Sequence, residues 1–256
     1  QDRKKTLAER SDGLRSMVFQ KQLGTLFDKK ERISELAGKI ARLIGTEAEQ
    51  AERAGQLCKC DLVTSMVYEF PELQGIMGRY YATHDGEAVA VATAIEEHYL
   101  PRFAGDALPS TATGQAVALA DRLDSMVGIF ATGQQPTGVK DPFALRRAAL
   151  GVIRICIEQQ LGLDLEDLLN AAAASLEQKI DAKPAVDDVF NYIPARLTVP
   201  VVALAAQILA GRGERSLMTA VCEGANHASP NAGYPEAAFA GALAVKLNGP
   251  NYYNGK

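Results

Sequence analysis

The sequence predicts an all-α fold, a multihelical bundle followed by a C-terminal helical or irregular segment of different character. Apolar residues recur every three to four positions, as in the stripe formed by Ile33, Leu36, Ile40 and Leu43. No segment alternates apolar and polar residues between turn dipeptides, so no strand is predicted. Of the 256 residues, 47% are apolar and 23% are charged, a balance typical of a globular protein with a sizeable core.

Interruptions of the apolar stripes place the individual helices. Helices are expected at about 33–44, 62–70, 87–99, 119–130, 141–161 and 164–180, with a turn-rich loop at 103–113. Gly45 ends the first helix, and Pro71 breaks or restarts the second. Asp141 followed by Pro142 is typical of a helix N-cap and first helical position, and Asp164 is suited to cap the last helix.

Charged residues on these helices are expected to have structural roles. The basic residues of the first helix are predicted to form its solvated face: Lys29, Lys30, Arg32, Lys39 and Arg42. His98 falls near the end of the third helix, where the helix dipole favours a positive charge. The formal net charge of −4 argues against a protein that coats nucleic acid by bulk charge, while leaving room for a local basic patch.

The cysteines and the first residues of the sequence indicate the cellular compartment of the protein. Cys58-Lys-Cys60 lacks the spacing of a zinc ribbon, and four scattered cysteines are typical of reduced thiols in a cytoplasmic protein. The opening residues Gln1-Asp-Arg-Lys-Lys show no secretory signal and have the character of a piece of a longer chain. We therefore expect a cytoplasmic protein.

The most suggestive chemical pattern is His84-Asp85, followed about 36 residues later by Asp121. Imidazole and carboxylate groups on facing helices can hold a divalent metal ion that activates water for phosphate-ester cleavage. One hypothesis is therefore a metal-dependent phosphohydrolase of the HD type that uses these three residues. A complete site of that type needs a further histidine upstream, which the sequence lacks. The alternative is a hydrolase-like fold whose polar residues cap helices and pair charges.

A small basic cluster opens the helix expected after Asp141. It consists of Lys140, Arg146 and Arg147. Arginine forms bidentate hydrogen bonds to phosphate and so suits an RNA backbone. Pairing with carboxylates inside the bundle would explain the same residues equally well. Both interpretations stay open at this point.

Several uncommon strings, in order, resemble the β subunit of bacterial two-subunit glycyl-tRNA synthetase over residues of about 2–192. They include Phe19-Gln-Lys-Gln-Leu-Gly-Thr-Leu, Lys59-Cys-Asp-Leu-Val-Thr-Ser-Met-Val-Tyr-Glu-Phe, Glu72-Leu-Gln-Gly-Ile-Met-Gly-Arg-Tyr-Tyr-Ala and Asp141-Pro-Phe-Ala-Leu-Arg-Arg-Ala-Ala-Leu-Gly. The matched region is similar to the central, HD-like helical domain of that subunit.

The resemblance implies a fragment that supports recognition of tRNA-Gly and assembly of an α2β2 enzyme. Its expected partners are the synthetase α subunit and tRNA-Gly. Aminoacylation, with its ATP and Mg, belongs to the α subunit in that family, so no cofactor is expected in this chain.

From about residue 187 the sequence resembles a different family, the adenosylcobinamide-phosphate synthase of cobalamin biosynthesis. The residues that carry this resemblance include His227, Asn231, Glu236, Tyr252 and Tyr253. It implies a boundary between a domain at 1–186 and a segment at 187–256, and membrane contact through 197–211. A membrane-associated fragment of that synthase is thus a third hypothesis, and residues after about 195 are expected to pack poorly.

Overall fold

The computed structural model describes residues 2–103, 105–136, 140–177, 179–193, 207, 213–223 and 237–238. The chain divides into two compact units. The first comprises Gln1–Gln134 with Phe143–Val189, and the second comprises Gln135–Pro142 with Phe190–Lys256. Among the helices formed by described residues, none combines the length and hydropathy that crossing a bilayer requires.

The described part of the chain is built almost entirely from helices, which confirms the all-α class. Their bounds are α1 Leu7–Arg10, α2 Leu26–Leu43, α3 Ala48–Leu57, α4 Ser65–Glu69, α5 Ile76–His84, α6 Val89–Glu97, α7 Ala112–Ala131, α8 Leu145–Glu158, α9 Leu165–Ala174, α10 183–193 and α11 Gly213–Glu223. Short 3₁₀ turns connect several of them, including Ser11–Ser16 and Cys60–Val63.

Helix α7 is the centre of the first unit. It packs against α2, α3, α6, α8 and α9. Leu119, Leu123, Met126 and Ile129 on α7 are completely buried. Because neighbours surround the helix, its apolar residues do not form a narrow stripe, which is typical of a helix buried on all sides.

Helices α2 and α3 approach each other closely at a glycine. A Cβ atom added to Gly55 would lie 2.5 Å from the Cα atom of Ser34 on α2. The Ser34 hydroxyl donates a hydrogen bond to the carbonyl oxygen of Glu52, 2.8 Å away. Only a residue without a side chain permits this backbone contact.

Local hydrogen bonds fix where several helices begin. Thr25 and Asp28 form a reciprocal capping box at the start of α2. Asp164 accepts hydrogen bonds from the backbone of Glu166 and Asp167, so its predicted capping role is confirmed. The loop before α7 is held by Glu97, whose carboxylate accepts hydrogen bonds from the backbone and hydroxyls of residues 110 and 111.

Two local predictions were wrong. A short antiparallel hairpin, β1 Val18–Gln20 and β2 Gly24–Thr25, precedes α2, where no strand was expected. Its strands are too short to show an alternating pattern in sequence. Helix α8 begins at Leu145, and its N-cap is Ala144 in the left-handed conformation, so Asp141 and Pro142 do not start it.

The predicted solvated face of α2 is only partly correct. Lys39 and Arg42 are exposed, but the side chains of Lys29, Lys30 and Arg32 are only 5–7% exposed. The buried members near the start of the helix reach acidic partners, which the helical pattern by itself does not reveal.

In the second unit, the structure describes residues 135–136, 140–142, 190–193, 207, 213–223 and 237–238, which include α11 and the end of α10. The Ser216 hydroxyl on α11 donates a hydrogen bond to the carbonyl oxygen of Ala238, 2.7 Å away. Of the expected membrane-contacting segment 197–211, only Gln207 belongs to the described residues. The predicted poor packing after about residue 195 also lies largely outside them.

Candidate functional site: a buried ionic cluster beside an arginine-lined cavity

A network of buried charges joins α2 to α7. Asp124 on α7 is completely buried. Its carboxylate accepts hydrogen bonds from Arg32 Nε and Nη2 and from Lys29 Nζ, the last at 2.9 Å. Burial acts to raise the pKa of Asp124, but the charges of Lys29 and Arg32 hold it below its usual value. The carboxylate is thus kept ionised between two cations.

One helical turn earlier, Asp121 binds two ammonium groups. Lys29 Nζ lies 2.9 Å from Oδ1 of Asp121, and Lys59 Nζ lies 2.8 Å from Oδ2. Burial acts to raise the pKa of Asp121, but the charges of the two lysines hold it well below its usual value. Each oxygen of this carboxylate is therefore neutralised by a cation that belongs to the protein.

Lys59 also contacts a histidine. Its Nζ lies 2.8 Å from Nε2 of His98 and 4.4 Å from the centre of the Tyr99 ring. His98 Nδ1 lies 2.7 Å from the carbonyl oxygen of Ile95. A carbonyl can only accept, so Nδ1 carries the proton, and Nε2 accepts the hydrogen bond that Lys59 donates.

His98 is therefore a neutral hydrogen-bond acceptor. It is completely buried and is the C-cap residue of α6. Burial, and next the positive charge of Lys59, lower the pKa of His98 well below 6.5. Its position at the helix end was predicted correctly, but the expected positive charge was wrong, since desolvation outweighs the attraction of the helix dipole.

His98 and Asp121 line a cavity of about 360 Å³. Among the residues that the structure describes, its other walls carry three guanidinium groups, those of Arg102, Arg122 and Arg147. The cavity is therefore lined both by Asp121, one of the three residues predicted to bind a metal, and by Arg147, one of the three predicted to bind RNA.

Arg122 stabilises one wall of this cavity through hydrogen bonds to the backbone. Its Nη1 and Nη2 atoms donate hydrogen bonds to the carbonyl oxygens of residues 98 to 101 and of Ala118, at 2.7–3.3 Å. Burial lowers the pKa of Arg122 to about 10, an effect that Asp121 opposes and the nearby charge of Arg147 reinforces. The side chain stays cationic and fixes the segment after α6 against α7.

The predicted metal triad is not assembled. Asp85 Oδ2 accepts a hydrogen bond from the backbone of Leu7 at 2.7 Å, and exposed His84 lines a different cavity together with Arg3 and Tyr80. Asp121 instead pairs with lysines. Within the described ranges, no three His, Cys, Asp or Glu side chains gather where they could hold one metal ion.

The predicted RNA-binding residues differ in their surroundings. Arg147 is exposed at the cavity, whereas Arg146 is half-buried and has other interactions. Lys140 is exposed and belongs to the second unit. The residues that carry the second resemblance lie outside the described residues: His227, Asn231, Glu236, Tyr252 and Tyr253.

Sequence reasoning missed Lys29, Lys59 and Asp124. A signal for two of them exists. Lys29 lies four residues before Ile33, so it continues the apolar stripe of α2, and Asp124 stands between Leu123 and Met126, two apolar residues of α7. A charged residue on an apolar face indicates a buried partner of opposite charge. For Lys59, which follows the end of α3, no such periodic signal exists.

Replacing His98 with glutamine is expected to remove part of the acid sensitivity of the fold. Above pH 6.5, His98 is neutral in both states; below it, only the unfolded chain takes up the proton, so stability falls as pH falls. One such proton contributes at most about 1.4 kcal/mol per pH unit. Urea unfolding between about pH 8 and pH 5 should show a shallower slope for His98→Gln.

The matched control for this experiment is His84→Gln, because the His84 side chain is exposed. We expect the control to keep the slope of the parent chain. An identical slope in all three proteins would contradict the neutral state of His98.

Comparison with known proteins identifies two matches. The family model described as "Glycyl-tRNA synthetase beta subunit" matches residues 1–207, and the model described as "CobD/Cbib protein" matches residues 182–256. The overlap of the matches, 182–207, includes the change of resemblance noted in the sequence.

Curated relatives agree with the first match. The glycine–tRNA ligase β subunit of Chromohalobacter salexigens is 57% identical over 192 residues, which are 75% of this chain and 28% of the relative. The glycine–tRNA ligase β subunit of Pseudomonas aeruginosa strain PAO1 is 56% identical over 197 residues, which are 77% of this chain and 29% of the relative. The glycine–tRNA ligase β subunit of Aliivibrio fischeri is 54% identical over 195 residues, which are 76% of this chain and 28% of the relative.

The aligned part of this chain therefore spans little more than a quarter of the length of these relatives. The family model nevertheless covers residues 1–207, well over half of the chain, and this range includes the helices that build the cluster and the cavity. On this evidence the chain belongs to the glycyl-tRNA synthetase β subunit family.

Proposed function

We propose that the helical body of this chain supports tRNA-Gly recognition and α2β2 assembly in a cytoplasmic glycine–tRNA ligase. In this proposal, the α subunit binds ATP and Mg and performs the aminoacylation. The chain itself acts as a scaffold and an RNA-contacting surface, and its partners are the α subunit and tRNA-Gly.

One observation supports a scaffold over a hydrolase. The Lys59 ammonium sits between His98 Nε2 and Asp121 Oδ2, 2.8 Å from each. These two atoms are of the types that bind divalent metals, but here they hold an internal cation. A metal ion at this place would have to displace the ammonium or lie beside it, and either costs electrostatic energy. The residues are thus used for structure.

A second observation supports contact with nucleic acid. Arg147 is exposed and, among the described residues, makes no hydrogen bond or ion pair. Several other exposed cations on the first unit pair with carboxylates, as Arg42 does with Glu52. A guanidinium group without a partner is available for a phosphate oxygen of tRNA.

The proposal is tested by binding of labelled tRNA-Gly and of an unrelated tRNA across about 50–200 mM salt. We expect preference for tRNA-Gly and an affinity that falls as salt rises. Arg147→Ala should reduce the salt slope by about 0.7–0.9, the value for one phosphate contact, and Arg42→Ala should not. Equal affinity for both tRNAs, together with no co-elution with a glycyl-tRNA synthetase α subunit, would refute the proposal.

The match of residues 182–256 to the "CobD/Cbib protein" model favours a separate proposal for that segment alone. We propose that residues 187–256 derive from a cobalamin-biosynthesis synthase, distinct from the domain at 1–186. Any membrane contact would then use 197–211. Fractionation with membranes, combined with a corrinoid-binding assay, tests this origin. If the chain binds neither membranes nor corrinoids, the segment has kept no function of that synthase.

A further inference from the structure

The cavity beside the ionic cluster has cationic walls. Arg102, Arg122 and Arg147 line it, against the two carboxylates of Glu72 and Asp121. Asp121 contributes little negative potential, since Lys29 and Lys59 bind its two oxygens. The field inside the cavity is therefore set by guanidinium groups and attracts an anion.

The three guanidinium groups differ in what they can offer. Arg122 donates to backbone carbonyls, so it supplies charge but few free donors. Arg102 donates weakly to the carbonyl oxygen of Gln74, at 3.5 Å. Arg147 is the member of this group whose donors have no partner among the described residues. Arg147 and Arg122 line the same cavity, so their positive charges repel each other, and this repulsion adds a small part to the lowering of the Arg122 pKa that burial mainly causes.

An anion between these arginines would relieve that repulsion. Phosphate suits the arrangement, because guanidinium binds its oxygens through two parallel hydrogen bonds. The remaining walls include the aromatic side chain of Phe143, a residue type on which a nucleic-acid base can stack. A volume of about 360 Å³ falls in the range of small-molecule sites.

We propose that this cavity is a binding site for the phosphate group of a nucleotide, with Arg147 as its principal hydrogen-bond donor. The nucleotide is either free in solution or part of a tRNA, and the phosphate chemistry is common to both. Only the tRNA source rests on the proposed function.

The test uses the whole chain with inorganic phosphate, adenosine 5′-monophosphate and adenosine as probes, titrated by calorimetry at constant ionic strength. We expect phosphate and the monophosphate to bind and adenosine to bind much more weakly. Arg147→Ala should weaken monophosphate binding by about tenfold or more. Arg147→Lys should weaken it less, because lysine keeps the positive charge but cannot form the two parallel hydrogen bonds of a guanidinium group. Arg42→Ala, at an exposed arginine outside the cavity, should match the parent.

Competition then distinguishes the two sources. If saturating monophosphate displaces tRNA-Gly, the cavity takes a tRNA phosphate; if both bind together, it takes a free nucleotide. Failure of the parent chain to bind phosphate or monophosphate at millimolar concentration would overturn the proposal, as would equal affinities for Arg147→Ala and Arg42→Ala. If tRNA does not bind while monophosphate does, the tRNA-recognition part of the proposed function fails and the cavity assignment stands.

Discussion

Replacing Asp124 with asparagine is expected to lower the free energy of unfolding by about 3–5 kcal/mol, the usual cost of removing one partner from a buried ion pair. Asparagine keeps the shape of the side chain but removes its charge. Lys29 and Arg32 would then remain buried without their shared carboxylate, and Lys29 would retain Asp121 as its carboxylate partner together with the Ser125 hydroxyl. Urea unfolding followed by circular dichroism measures the change.

The control for this substitution is Asp12→Asn. Asp12 pairs with Arg15 on the surface, where both side chains are more than half exposed. Exposed ion pairs contribute little, so we expect no measurable change in the unfolding midpoint. Similar midpoints for the Asp12 and Asp124 variants would show that the network joining α2 to α7 adds nothing to stability.

Lys59→Met is expected to destabilise the chain by about 2–4 kcal/mol, because it leaves a buried acceptor and part of a buried carboxylate without a partner. Methionine fills nearly the same volume but cannot donate to His98 Nε2 or to Asp121 Oδ2. The pKa of His98 should rise as well, since the charge of Lys59 is the second-largest cause of its lowering after burial.

Urea unfolding and an NMR titration of His98 measure the two effects separately. Lys39→Met is the matched control, since Lys39 is exposed and forms a surface pair with Glu35. A Lys59→Met chain with parental stability and an unchanged His98 titration would mean that the ammonium does not neutralise this site. The His98 readout distinguishes this electrostatic role from simple loss of packing.

The helical class followed from the spacing of apolar residues, because that spacing directly records which face of a helix is buried. Asp164 was likewise predictable, since an N-cap depends only on residues two and three positions away. The start of α8 was not, because Ala144 adopts a left-handed conformation that no local residue preference indicates. Helices α3 and α5 were missed, being short helices with small or mixed faces.

The candidate site was harder to predict than the fold. Lys59, His98 and Asp121 come from three separate parts of the chain, and their meeting depends on how α3, α6 and α7 pack. The adjacent residues His84 and Asp85 suggested a metal site, but Asp85 instead accepts a hydrogen bond from the backbone of Leu7. Adjacent letters do not determine which side chains share a site.

The carbonyl contacts of Arg122 have a consequence for any ligand that enters the cavity. One guanidinium group holds residues 98 to 101 and Ala118 of α7, so the cavity's two sides are tied together by a single buried side chain. The cavity is therefore preorganised, and an incoming anion loses little affinity to the ordering of its walls. The same rigidity limits how far the walls can move to fit a bulkier group inside the cavity.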